Sequence, residues 1–106
     1  MATKTIMLVC TAGMSTSLLV SKMNKSAEEN GIDAKVFATG VSEVEEGLAE
    51  NDVDVLLLGP QVRYKKAEYE EMVEGKDIVV EVVNMQDYGM VNGEKVLQSA
   101  LDLLNK

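Results

Sequence analysis

The chain has 106 residues, 46% of them hydrophobic, enough for one domain to close a core without disulfides or metals as staples. Lys and Arg number 10 against 18 Asp and Glu, and the net charge of −8 argues against nucleic acid as the main partner and against adsorption to an anionic membrane surface. Histidine is absent, which excludes imidazole acid–base chemistry and histidine metal sites within the chain, and the single cysteine, Cys10, excludes an internal disulfide.

Thr5 to Val9 is a short apolar run, read as a buried strand. A small polar loop from Thr11 to Ser17 follows. The spacing predicts a helix from Ser15 to Asn30, with Leu19, Met23, Ala27 and Asn30 at intervals of three and four and Gly31 as its stop. Asp33 to Ala38 alternates as a second strand. Ser42-Glu43-Val44-Glu45 has the pattern of a capping box and predicts a helix with Val44 and Leu48 one turn apart. The run Glu43, Glu45, Glu46 and Glu50 is then its solvated face.

Val53 to Leu58 is the most apolar run, a central strand that ends at Gly59-Pro60. Tyr64 to Glu74 has helix-forming composition, with Tyr69, Met72 and Val73 as the inner face and Gly75 as the stop. Ile78 to Val83 is the fourth strand, and residues 84–91 are expected to form a loop. Asn92 is the expected cap of a last helix whose apolar stripe is Val96, Leu97, Ala100, Leu101 and Leu104. Repeats, linkers and low-complexity segments are absent. Strand–helix alternation predicts a single α/β domain over residues 1–106, a three-layer sandwich with helices on both faces of a four-stranded parallel sheet. Right-handed crossovers favour the order 2-1-3-4, with the first and last helices on one face and the middle two on the other.

In such a sheet, ligands bind beyond the carboxyl ends of the strands where the order reverses, here between strands 1 and 3. Cys10 is the first residue past strand 1. Small residues follow it, Gly13 frees the backbone to turn, and the loop runs into a helix N-terminus. Successive N–H groups there can form a nest for an anion, with the helix dipole adding to it. The hydroxyls of Ser15, Thr16 and Ser17 are further donors. Such a setting is expected to lower the thiol's pKa below the free value of about 8.5. The plain alternatives are a buried structural cysteine and, for Ser15 or Thr16, an ordinary helix cap.

Two other loops converge on the same edge. Gly59-Pro60-Gln61 follows strand 3, and Gln61 is a candidate hydrogen-bond donor to a substrate or phosphate oxygen. Tyr88, in the stretch Gln86-Asp87-Tyr88-Gly89 after strand 4, is the second candidate contact; the plain alternatives are a solvated Gln61, a Tyr88 that only packs and an Asp87 that only makes a turn. Arg63, Lys65 and Lys66 form a small basic cluster suited to an acidic partner or a phosphate, or else simply a solvated helix start. Met14, within the Cys10 loop, suits a protein–protein contact if exposed. No metal and no cofactor are expected. Lys4 and the run to Cys10 have a faint likeness to a lipoprotein signal, but the apolar core is far below about 7–15 residues, and Val9 stands where a small residue is needed. No stretch approaches the length of a transmembrane helix, and the cytoplasm is the expected compartment.

Three stretches carry a family resemblance over essentially the whole chain: Ile6 to Leu19 (IMLVCTAGMSTSLL), Leu57 to Gln61 (LLGPQ) and Tyr88 to Gly93 (YGMVNG). The sequence resembles the IIB subunits of the lactose/cellobiose class of the bacterial sugar phosphotransferase system. The resemblance implies a transferase in which Cys10 becomes phosphocysteine, taking the group from a IIA phosphohistidine and passing it to a β-linked disaccharide of the cellobiose, chitobiose or lactose type held by the membrane IIC subunit. It implies that Thr11, Ala12, Gly13, Met14, Ser15, Thr16 and Ser17 cradle the phosphate, and that the protein visits the inner face of the membrane only through IIC. The nearest enzyme alternative is a low-molecular-weight protein tyrosine phosphatase, which has a similar fold and a cysteine after strand 1, and whose loop has arginine six residues after that cysteine. That position is Thr16 here, so the bidentate guanidinium for hydrolysis is missing. A general-acid Asp-Pro pair is missing too, since Pro60 follows Gly59; Asp87 lies in a suitable region without that context. A non-catalytic thiol sensor is the third reading.

Overall fold

Four short apolar runs become the four strands of one parallel sheet. The structure, a computed structural model, describes residues 3–10 and 13–104, and the side chains of all of these except 13–16. Strand β1 (Lys4–Cys10) is followed by α1 (Gly13–Glu29), β2 (Ala34–Gly40), a 3-10 turn (Val41–Glu43) and α2 (Val44–Glu50). Strand β3 (Val55–Leu58), a second 3-10 segment (Pro60–Lys65), α3 (Lys66–Met72), β4 (Val79–Val82), α4 (Met85–Gly89) and α5 (Gly93–Leu104) complete the chain. The order is β2-β1-β3-β4, as the crossover rule predicted.

Register fixes what meets at the sheet's carboxyl end. Cys10 stands opposite Gly40 of β2, and Val9 opposite Leu58 of β3, which in turn faces Val82 of β4. Ile6, Met7, Leu8 and Val9 are all fully buried, as a strand covered on both faces requires. Alternation sends Ile6 and Leu8 to the layer of α1 and α5, with Leu19, Met23, Val96 and Leu97. It sends Met7 and Val9 to the opposite layer, with Val44, Val62, Tyr69 and Val73. The helices are therefore distributed as expected, first and last on one face and the middle pair on the other.

Several local expectations are corrected. Helix α1 begins at Gly13 rather than Ser15, so Gly13 is the first helical residue instead of a turn within the loop, and Asn30 is exposed beyond its end. The Ser42–Glu45 capping box does not form: the chain passes through the 3-10 turn, and neither that turn nor α2 has a side-chain cap. The helix expected over 64–74 is shorter: Tyr64 and Lys65 belong to the 3-10 segment, in which Val62 leaves helical geometry (φ −116°, ψ 19°), and α3 runs only from Lys66 to Met72. The stretch 84–91 holds α4, a single short helix that was expected to be loop. The stops are as read: Gly31 and Gly75 both take positive φ, at 65° and 83°. Asn92 caps α5 by accepting from Lys95 N at 3.2 Å.

Both sheet edges carry a side chain on their outward backbone. On β2, Asn24 of α1 donates to Val36 O (2.9 Å) and accepts from Val36 N (3.0 Å). On β4, Val83 N turns inward to Leu58 O, so Val82 N faces outward, where it donates to the Glu81 carboxylate at 3.1 Å. Helices α1 and α5 approach closely at Gly93. A Cβ there would stand 2.6 Å from Lys22 Cβ and 2.7 Å from the Lys22 carbonyl carbon.

Candidate functional site

Cys10 is the last residue of β1 and is 6% exposed. Its position follows from its strand, because the four residues before it are locked in the core and α1 begins three residues later. The first N–H groups of a helix have no carbonyl partner within it, and they carry the positive end of the dipole. A 17-residue helix thus starts immediately after the sulfur. Of the loop residues expected to hold an anion, Thr11 and Ala12 lie outside the described residues. Gly13, Met14, Ser15 and Thr16 form the first turn of α1, with their side chains outside the description; Ser17 is exposed on the same helix.

The second wall comes from β3. Gly59 N donates to Val9 O at 2.9 Å, so the chain leaves β3 directly beside the end of β1. Gly59 is buried, and a Cβ on it would stand 3.2 Å from Gln61 Oε1 and 3.5 Å from Tyr88 Cε2. Gln61 Oε1 and the Tyr88 ring therefore both lie close to this glycine. Gln61 is exposed.

The third wall is α4, and it brings Tyr88 to the thiol. The Tyr88 hydroxyl lies 3.4 Å from Cys10 Sγ, a buried contact spanning 78 residues of sequence. A five-residue helix has no stability of its own and must be held at its ends. At its start Asn84 accepts from Gln86 N (2.9 Å) and Asp87 N (3.1 Å). At its end Val91 takes φ 52°, a left-handed conformation that a β-branched residue adopts only under constraint. Val91 N donates to Tyr88 O (3.1 Å) and Asn92 N to Asp87 O (2.9 Å) across that end. The sequence pattern did not reveal this helix, although Asn84 with Asp87 three residues on is a cap signal in retrospect.

Asp87 is half-buried and lines a small cavity of about 40 Å³ with Val83, Val96 and Leu103, which includes neither Cys10 nor Tyr88. A groove of about 550 Å³ is lined by Tyr88, Pro60, Gln61, Arg63, Tyr64, Met85 and Gly89. Tyr64 and Met85 are large exposed apolar side chains there, and neither was singled out by sequence reasoning. Lys65 pairs with Glu68 (3.3 Å) and Lys66 with Glu81 (3.5 Å); of the basic cluster, Arg63 alone lines the groove. No group of three or more Cys, Asp or Glu residues placed to hold a metal occurs among the described residues, and none of their helices is long and apolar enough to cross a membrane.

Comparison with known proteins converges on one family. The family model described as "PTS system, Lactose/Cellobiose specific IIB subunit" matches residues 5–99. The chain is 50% identical to the PTS system galactose-specific EIIB component of Lactococcus lactis subsp. cremoris, over 99% of this chain and 100% of that protein. It is 49% identical, over the same shares, to the PTS system cellobiose-specific EIIB component of Lactococcus lactis subsp. lactis. The solution structure of the cellobiose-specific phosphotransferase IIB component from Borrelia burgdorferi superposes with a TM-score of 0.77 at 42% identity, covering 98% of this chain and 94% of that one.

Proposed function

Because the chain belongs to the lactose/cellobiose-specific IIB family of the sugar phosphotransferase system, we propose that it is a phosphoryl carrier whose working residue is Cys10. The observation that supports this most is position. The sole thiol of the chain ends β1 at the edge where the strand order reverses, and a helix N-terminus follows it three residues on. Cys10, as thiolate, attacks the phosphorus of a IIA phosphohistidine. The S–P bond forms as the N–P bond breaks, and the electron pair stays on the imidazole. The group then passes to a sugar hydroxyl presented by a IIC subunit, and its electron pair returns to sulfur. Residues 11–17 hold the phosphate, with Gln61 at the rim.

A carrier must keep its phosphate until the partner arrives. Thr16, where the phosphatase loop has arginine, and Asp87, which lines a different cavity, both favour retention over hydrolysis. The acceptor is proposed to be a β-disaccharide of the cellobiose, chitobiose or lactose class. Relatives named for galactose and for cellobiose are equally similar to this chain, which fits a sugar chosen by IIC rather than here. The domain acts from the cytoplasm and meets the membrane through IIC.

The test is incubation with a phosphorylated IIA of this class, read by intact mass. The expected result is a stable gain of one phosphoryl group, abolished by Cys10→Ser. No gain from any IIA of the class refutes the carrier, and rapid Cys10-dependent cleavage of p-nitrophenyl phosphate replaces it with a phosphatase.

A further inference from the structure

We propose that Tyr88 holds the Cys10 sulfur in its thiolate form, donating its phenolic hydrogen bond to Sγ before the thiol is loaded and again as the phosphoryl group leaves. The proposal rests on the carrier reading of Cys10 and deepens it. Geometry carries it: the two atoms are 3.4 Å apart, and the residues are 6% and 9% exposed. A buried hydroxyl costs free energy unless it is partnered, and for packing alone phenylalanine would serve this position. The direction of donation follows from chemistry. A thiolate can only accept, and a phenol is a better donor than a thiol, so in the reactive form the proton lies on Tyr88.

The surroundings fix Tyr88 rather than leaving it to find the sulfur. Asn84 pins the start of α4, Val91 its end at φ 52°, and the ring lies against Gly59. A strained backbone persists only where its neighbours over-determine it. Here the strain sits three residues from the hydroxyl that touches the reacting atom. In loading, charge moves from sulfur to phosphorus and onward to the departing imidazole, and the Tyr88 bond weakens. In discharge, the S–P electron pair returns to Sγ and meets the hydroxyl again. The phenolic proton stays on oxygen throughout, and the acceptor hydroxyl loses its proton to a base on the acceptor's side.

The experiment is thiolate alkylation as a function of pH, with Cys10 as the sole reactive thiol. In Tyr88→Phe the profile is expected to move to higher pH by roughly half a unit to one unit, the worth of one hydrogen bond to the charged form. Its high-pH plateau should rise, because a more basic thiolate is more nucleophilic. The charged side chains on the surrounding segments, Glu43, Arg63 and Asp87, are the same in both proteins, so the difference reads the hydroxyl. Replacing the tyrosines of the otherwise unaltered protein with 3-fluorotyrosine, a more acidic donor, should move the profile the other way and does not depend on Tyr88→Phe folding. Discharge of phosphocysteine should slow about threefold to tenfold in Tyr88→Phe. An unmoved profile with both replacements overturns the proposal and leaves the carrier reading intact. Failure of the wild type to take a phosphoryl group removes the carrier reading, while the alkylation profiles still decide whether Tyr88 holds the thiolate.

Discussion

Tyr69→Phe is expected to make the protein more stable. Tyr69 on α3 is 1% exposed and among the largest fully buried side chains, yet its hydroxyl has no hydrogen-bond partner among the described residues. A buried polar group left unpaired costs about 1–3 kcal/mol. Removing one oxygen leaves a void of about 10–15 Å³, which at about 24 cal/mol per Å³ returns about 0.3 kcal/mol of that gain. The net is a stabilisation of about 0.7–2.7 kcal/mol, read as a higher urea midpoint at unchanged slope, with a Tm several degrees higher. The pH dependence has a definite sign. Burial pushes the Tyr69 phenol above its ordinary value, with Lys65 opposing and Glu68 and Tyr64 adding to the rise. Below about pH 10 both folded and unfolded chains carry the neutral phenol. Above that the unfolded chain releases its proton first, so native stability is lost as pH climbs towards and through the folded-state value. Phenylalanine has no such loss, and the gap between the two proteins should widen above pH 10. A variant less stable than the wild type at equal slope, or a gap that narrows with rising pH, refutes the reasoning, because either result means the hydroxyl has a partner.

Gly93→Ala should destabilise by about 1–3 kcal/mol in thermal or urea unfolding, because its Cβ would collide with the backbone of α1 at Lys22 and Met23, which cannot swing aside as a side-chain tip would. Asn24→Ala should cost about 1–2 kcal/mol, since it removes both bonds to Val36. Its signature in hydrogen exchange is faster exchange at the Val36 amide than at Ile6 or Leu8 in the middle of the sheet.

How much was legible depended on the range of the signal. The runs at Thr5–Val9 and Val53–Leu58 are apolar because both faces of those strands are covered, and that alone placed Cys10 at the carboxyl end of a central strand. The stripe in α5 and the stops at Gly31 and Gly75 are local signals, and they were correct. Strand order followed from connection handedness, so the convergence of the Gly59 and Tyr88 segments on Cys10 was already implied. The contact itself was not. A five-residue helix is too short to show a period, so 84–91 read as loop, and the rotation of one helical turn decides whether Tyr88 meets the sulfur. Ser42 misled in the opposite direction. It has the composition of a capping box, but the chain leaves β2 through a 3-10 turn that places Glu43, and not Ser42, before α2. Over residues 64–74 composition read one helix, but the chain comes out of a 3-10 segment in which Val62 is buried out of helical geometry, and Tyr64 and Lys65 stay in that segment ahead of α3.

The side chains of Asn24 and Glu81 have a consequence for how this protein keeps company. A parallel sheet with open margins invites a neighbour to add a strand, and copies at high concentration can then string together edge to edge. Here a foreign strand aligned on β2 would have to dislodge Asn24 from Val36, and one on β4 would have to dislodge the Glu81 carboxylate from Val82. Lateral growth is discouraged on both sides. An approach over the carboxyl rim of the strands, where Cys10 ends β1, disturbs neither of these side chains.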